Sequence, residues 1–240
     1  MIAQDADAGP PSLPFRPGPG RPDRDDDEED DVGTSRRAAG LGLLAYGIGT
    51  FLTMALIGSP GGDYSSSGVA RYVSAGHRTT AFVMAYVGAF AALGLLVFAR
   101  RMRDELGAIG RTVEGLAIAG TATAVTGWFV VGGVAVAAAE GGAAVQGVAH
   151  PVVYMLTEIG NLVAVCGASF FAGLIALVLA VRGPVPVPLR ALLALAGVCG
   201  IVAPTYFPMA VYLIGILALA AWCLASRVPE PRAVQQTQLV

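Results

Sequence analysis

Four stretches of the chain, 38–58, 79–99, 113–139 and 159–181, contain no charged side chain except Glu114 near the start of the third. A helix crossing a hydrocarbon core of roughly 30 Å needs about 20 apolar residues at 1.5 Å each, and every one of the four supplies them. In lipid the backbone finds no hydrogen-bond partner outside the chain, so such stretches fold as helices. Charged residues make up 13% of the sequence, against roughly 25% in soluble domains. An aqueous globule is excluded on that balance.

A fifth apolar region, 189–225, is interrupted by Pro204-Thr205-Tyr206-Phe207-Pro208. Proline removes a backbone donor and clashes with the preceding turn, so the region divides into helices over 189–203 and 209–225. Both are short for a full crossing. A re-entrant hairpin is the alternative, but extension toward Val185 and snorkelling by Arg190 favour two more spans. The predicted fold is all-α, a polytopic transmembrane bundle of six spans over 38–58, 79–99, 113–139, 151–181, 189–203 and 209–225. Its transmembrane domain covers 36–226, followed by a short disordered C-terminal tail, 227–240.

Arginine placement orients such a bundle. With both termini in the cytoplasm, Arg36, Arg37, Arg100, Arg101, Arg103, Arg111, Arg182, Arg190, Arg227 and Arg232 share that side, against Arg71 and Arg78 outside. This is the positive-inside pattern of a multi-pass protein of the bacterial inner membrane. The basic residues are scattered over short loops instead of clustered on one face, which disfavours nucleic acid as a partner. The lipid bilayer is the partner the composition demands.

Residues 1–35 are a different material. Pro10, Pro11, Pro14, Pro17, Pro19 and Pro22 precede an unbroken acidic run from Asp25 to Asp31, with little apolar surface to bury. Such a segment is expected to be a disordered acidic cytoplasmic tail. Its functional alternative is docking onto a basic partner or onto the chain's own Arg100, Arg101, Arg103 and Arg111. Ser35-Arg36-Arg37 reads as the cytoplasmic anchor of an uncleaved first span, because no small-residue cleavage site follows the apolar stretch.

Small residues four apart recur on the spans: Ala45 with Gly49, Ala85 with Ala89, Gly120 with Ala124, Ala196 with Gly200. They let helix backbones approach closely and predict a tight bundle, with a homo-oligomer face as a second use. Cys166, Cys199 and Cys223 each stand alone in an apolar span and read as small core residues.

One span carries a polar stripe. At about 100° per residue, His150, Tyr154, Thr157, Glu158 and Asn161 fall within about 100° of one helix face. That face predicts a polar pocket on the outer side, with Glu158 as charge carrier, since a carboxylate at membrane depth tends to mark an ion path or ligand contact. His77 and Arg78, at the outer end of the second span, are its expected partners. Asp63, Arg71, Tyr72, Glu140 and Tyr206 lie on the same side.

Three functions fit. The first is binding or passage of a small polar solute or a proton. The second is a redox protein in which His77 and His150 hold haem, or His77, His150 and Glu158 hold zinc; no HExxH spacing supports it, and no cofactor is predicted. The third is a partner or scaffold subunit without chemistry. Enzyme activity is the minority reading, because GxSxG and GxxxxGK motifs are both absent. There is no catalytic residue to nominate.

The stretches Gly127-Trp128-Phe129-Val130-Val131-Gly132-Gly133, His150-Pro151-Val152-Val153-Tyr154 through Glu158-Ile159-Gly160-Asn161, and Ala203-Pro204-Thr205-Tyr206-Phe207 resemble those of six-span integral membrane proteins of unknown function from GC-rich bacteria. The resemblance spans roughly residues 36–226. It implies the fold and carries no activity or cofactor.

Overall fold

The computed structural model describes residues 25–57, 65, 67, 70, 74–140, 150–203 and 208–225. The proline-rich part of the expected tail, 1–24, the tail at 227–240 and the Pro204–Phe207 break lie outside them. Among the described residues the chain is helical without a strand. The elements are α1 (Asp25–Ile57), α2 (Ala75–Met102), a 3-10 turn (Gly107–Ile109), α3 (Gly110–Glu140), α4 (His150–Leu162), a π-helical turn (Val163–Gly167), α5 (Ala168–Arg182), α6 (Val187–Ile201) and α7 (Met209–Ala225). Among the described residues four helices are long and apolar enough to cross a membrane: Thr34–Leu56 within α1, Ala75–Met102, Gly107–Glu140 and Pro151–Arg182. The helices α6 and α7, of 15 and 17 residues, are shorter apolar elements.

With α4, the π turn and α5 counted as one rod, six rods stand in a ring in chain order. Each packs on its neighbour, and α7 closes against α1. Consecutive rods run antiparallel, as the register of their contacts requires. Gly42 meets Gly94 and Gly49 meets Ala91 across α1 and α2, while Gly120 meets Ala168 and Gly127 meets Ala164 across α3 and the fourth rod. Gly40 lies against Ala220 and Leu224, so the start of α1 and the end of α7 share one end of the ring.

The outside of the ring is apolar. Phe51, Phe90, Phe129, Val181, Leu195 and Ile214 are all more than half exposed, so a large part of the hydrocarbon surface is left uncovered by the chain itself. A soluble monomer rarely tolerates contiguous patches of that kind. Inside, cohesion comes from backbone proximity. A Cβ on Gly42 would stand 2.6 Å from the carbonyl oxygen of Gly94, and one on Gly94 would strike the Gly42 carbonyl. Only glycine permits α1 and α2 to lie this close. The small residues marked in the sequence serve the chain's own bundle: Gly49, Ala85, Ala89, Ala124, Ala196 and Gly200 are buried, whereas Ala45 is exposed.

The ion pairs among the described residues gather at one end of the ring. At the end shared by α1 and α7, Arg36 pairs with Glu105, and its guanidinium lies 5.7 Å from the Trp222 ring centre. Glu114 takes Arg103 at 3.1 Å and Arg100 at 3.4 Å. Two of the four arginines expected to receive the acidic tail are thus already beside a carboxylate of the bundle. Arg190 turns back onto the Val185 and Gly183 carbonyls at 2.9 and 3.0 Å, closing the α5–α6 loop.

The fourth rod departs from a plain helix. Between Val163 and Gly167 it widens into one π turn, an insertion that rephases the residues on either side of it. No proline marks the place in the sequence. The turn begins two residues after Asn161, so the polar stripe and the apolar remainder of the rod each present their own face inward.

Gly94→Leu should separate α1 from α2 and lower stability by about 1–3 kcal/mol, the usual cost of overpacking. Gly115→Leu, where an added side chain meets open space, should be neutral or better. Thermal unfolding of both variants in one detergent checks the difference.

Candidate functional site

The question left by the sequence is which way the stripe on α4 faces. Tyr154, Thr157 and Asn161 are 1%, 4% and 5% exposed, while Met155 and Ile159 between them are 52% and 50% exposed. The stripe therefore turns into the ring and its apolar flanks turn out. Glu158 is half-buried beside it. Gly160 holds this face close to α3, where Val130 and Val131 pack 3.0 Å from the position of an added Cβ.

Across α3 from the stripe, the first turn of α2 supplies His77 and Arg78. Arg78 N–H donates to the Ser74 carbonyl at 3.0 Å, fixing the helix start. Its Nη1 donates to the Ala138 carbonyl at 2.5 Å, tying the first turn of α2 to the last turn of α3. A guanidinium among the final carbonyls of a helix also meets the negative end of its dipole. Antiparallel packing is what brings the beginning of α2 to the end of α3.

His77, Arg78 and Thr157 come together around a small cavity that Ala81, Val131, Ala135, Ala138 and Val153 complete. Its volume is about 10 Å³, the room of roughly one water. The Thr157 hydroxyl donates to the Val153 carbonyl of its own helix at 2.8 Å, which leaves its oxygen able to accept a further hydrogen bond. Among the buried polar atoms of the described residues without a hydrogen-bond partner are Arg78 Nε, a donor, and Asn161 Oδ1, an acceptor. Leaving such a group unsatisfied costs about 1–3 kcal/mol.

The remaining expectations divide. Tyr154, Glu158 and Asn161 share the helix with Thr157 but do not line the cavity. The backbone of His150 opens α4 at the same end of the ring; its side chain lies outside the described residues, as do Asp63, Arg71, Tyr72 and Tyr206. Glu140 belongs to a different hollow, between α2 and α3. Among the described residues no three His, Cys, Asp or Glu side chains gather as a metal-binding group. Cys166, Cys199 and Cys223 are buried and free.

A second polar cluster went unnoticed in the sequence. In the middle of the ring the hydroxyls of Tyr46 on α1 and Tyr212 on α7 lie 2.7 Å apart, with Ser169 of α5 beside both and Thr50 beside Tyr46. Tyr46, Tyr212 and Ser169 are at most 1% exposed. The Ser169 hydroxyl also lies 3.6 Å from the Met209 sulfur. A buried phenol needs a partner, and a mid-span tyrosine announces that need; which residue answers it depends on the ring closing α7 onto α1. This cluster joins three rods by hydrogen bonds in a place where dispersion alone otherwise holds them.

No protein family, curated protein or solved structure matches this chain. Its functional reading comes from its own residues.

Tyr46→Phe should cost about 0.5–1.5 kcal/mol by leaving the Tyr212 hydroxyl with Ser169 alone, and adding Tyr212→Phe should recover part of that loss. A double-mutant cycle of thermal unfolding in detergent measures the coupling. Additive costs would mean that the two hydroxyls do not depend on each other.

Proposed function

We propose that this chain is a multi-pass protein of the bacterial inner membrane, crossing it six times with both termini cytoplasmic, and that the polar end of its ring binds a proton or a small polar solute. The observation that carries the functional part is the pair of orphaned buried atoms, Arg78 Nε and Asn161 Oδ1, at the end of the ring where His77, Arg78 and Thr157 enclose a one-water space. A site of that size favours the proton over a solute of several heavy atoms. Glu158 is the titrating carboxylate in this reading, His77 a titratable neighbour, Arg78 the fixed positive charge, Thr157 the hydroxyl that lines the space, and Tyr154 and Asn161 hydrogen-bonding groups on the same helix face beside it.

The orientation rests on the distribution of arginine. Arg36, Arg37, Arg100, Arg101, Arg103, Arg111, Arg182 and Arg190 belong to helix ends or loops at the end where α1 starts, while Arg78 belongs to the other. The short helices α6 and α7 cross in this reading because they complete the ring, α7 packing along α1 and α6 between α5 and α7. A haem centre on His77 and His150 has less support, because the one-water space beside His77 has no room for a macrocycle. A partner subunit without chemistry is the reading that remains if the site proves inert.

Two measurements test this. In intact cells, a membrane-impermeant maleimide should label Ser67→Cys and spare Asp104→Cys until the cells are lysed; the reverse pattern refutes the orientation. In proteoliposomes under a pH gradient, wild-type protein should dissipate the gradient, with Glu158→Gln slowing it about tenfold or more and Asn161→Leu also impairing it. Equal rates for wild type, both variants and empty liposomes would remove the proton reading.

A further inference from the structure

A groove of about 380 Å³ runs along the outside of the ring between α2 and α3. Trp128 and Phe129 of α3 line it with Tyr86 of α2 at the end toward the middle of the helices, Phe82 stands beside Gly132 and Gly133 farther along, and Glu140 closes the lining at the end of α3. The rings are arranged edge to face, with Tyr86 5.1 Å from Phe82 and 6.4 Å from Phe129 between centres. It is separate from the polar site, which lies on the inner side of α3.

We propose that this groove is a lipid site, holding one acyl chain of a phospholipid whose ethanolamine ammonium pairs with Glu140. The proposal rests on the reading that the bundle crosses a bilayer, and it adds a ligand at a place which that reading does not use. Three features select the occupant. From Trp128 to Glu140 the groove follows α3 for about 18 Å, close to the roughly 15 Å depth of one leaflet. Its apolar and charged parts are therefore spaced like the chain and headgroup of a single lipid. The mouth is acidic: Glu140 is the one charged side chain of the lining, and among the described residues it has no ion-pair partner. Finally, Glu140 is the last residue of α3, where a carboxylate stands against the negative end of the helix dipole. An ammonium there offsets both the carboxylate and the dipole, whereas an anionic headgroup meets both as repulsion.

Gly132 and Gly133 give the slot its width. An added Cβ on Gly133 meets nothing within 4 Å, so a larger side chain there fills the groove without disturbing the helices. Trp128 reports on occupancy, being 3% exposed yet part of the lining, and therefore reached by a chain inside the groove in preference to lipid around the ring. The sequence has two tryptophans, and Trp222→Phe leaves Trp128 as the single emitter.

The test uses full-length protein carrying Trp222→Phe in two vesicle preparations of the same composition, equal parts phosphatidylethanolamine and phosphatidylglycerol. Bromines are placed on the acyl chains of one lipid in the first preparation and of the other in the second. Trp128 emission should be quenched more when the ethanolamine lipid is brominated, by an amount corresponding to about two- to fivefold preferential occupancy. Glu140→Gln should abolish the preference, and Gly133→Leu should weaken quenching in both preparations. Equal quenching by the two lipids in the Trp222→Phe protein, or quenching unaffected by Gly133→Leu, overturns the groove assignment and leaves the embedding standing. Absence of quenching by either lipid overturns the embedding and the groove together.

Discussion

The ring stays together because its backbones touch. Along α1 and α2, Gly42 and Gly94 bring two helices so near that a single methylene would not fit between them, and Gly127 does the same for α3 against Gly160 and Ala164. Where the surrounding medium is as apolar as the side chains, burying a leucine yields little, and the remaining sources of cohesion are dispersion at short range and hydrogen bonds. Glycine and alanine make the first available. The large residues are then free to face outward, as Phe51, Phe90, Phe129 and Ile214 do.

Polar groups inside such a ring are few, and each occupies a place that the packing defines. The hydroxyls of Tyr46 and Tyr212 satisfy one another across α1 and α7, and Thr121 satisfies itself on the Ala92 carbonyl of α2 at 3.1 Å. At the far end, Arg78 secures α2 to α3 through Ala138 while its Nε and the amide oxygen of Asn161 keep unspent capacity. The centre of the ring is closed chemistry and one end is open chemistry. That contrast is why the end, and not the phenol pair, carries the functional proposal.

The direction of the polar stripe was partly legible. The spacing of Tyr154, Thr157 and Asn161 put them on one helix face, and the cost of exposing such a face to hydrocarbon already argued that it should turn inward. What could not be read was the company it keeps. His77 and Thr157 are 80 positions apart in the sequence, and only the antiparallel run of α2, α3 and α4 puts them on one cavity. Glu140 shows the reverse case, since it shares a side of the molecule with the stripe and yet faces a different hollow. The π turn at Val163–Gly167 was illegible, because a one-residue insertion in an apolar helix changes neither composition nor hydrogen-bonding capacity.

The sequence by itself determined that the long apolar stretches form helices, where the fifth apolar region divides, and which end of the helices collects the arginines. These follow from local terms: the solvation of backbone groups, the missing donor of proline, and the energy of a charge in an apolar medium. Only the tertiary structure decided that α7 closes on α1, that Tyr46 meets Tyr212, and that His77, Arg78 and Thr157 share a cavity from which Glu140 is excluded. Those outcomes depend on which glycine finds which partner backbone. Many small-residue pairs are equivalent in one dimension, and shape complementarity in three dimensions selects among them.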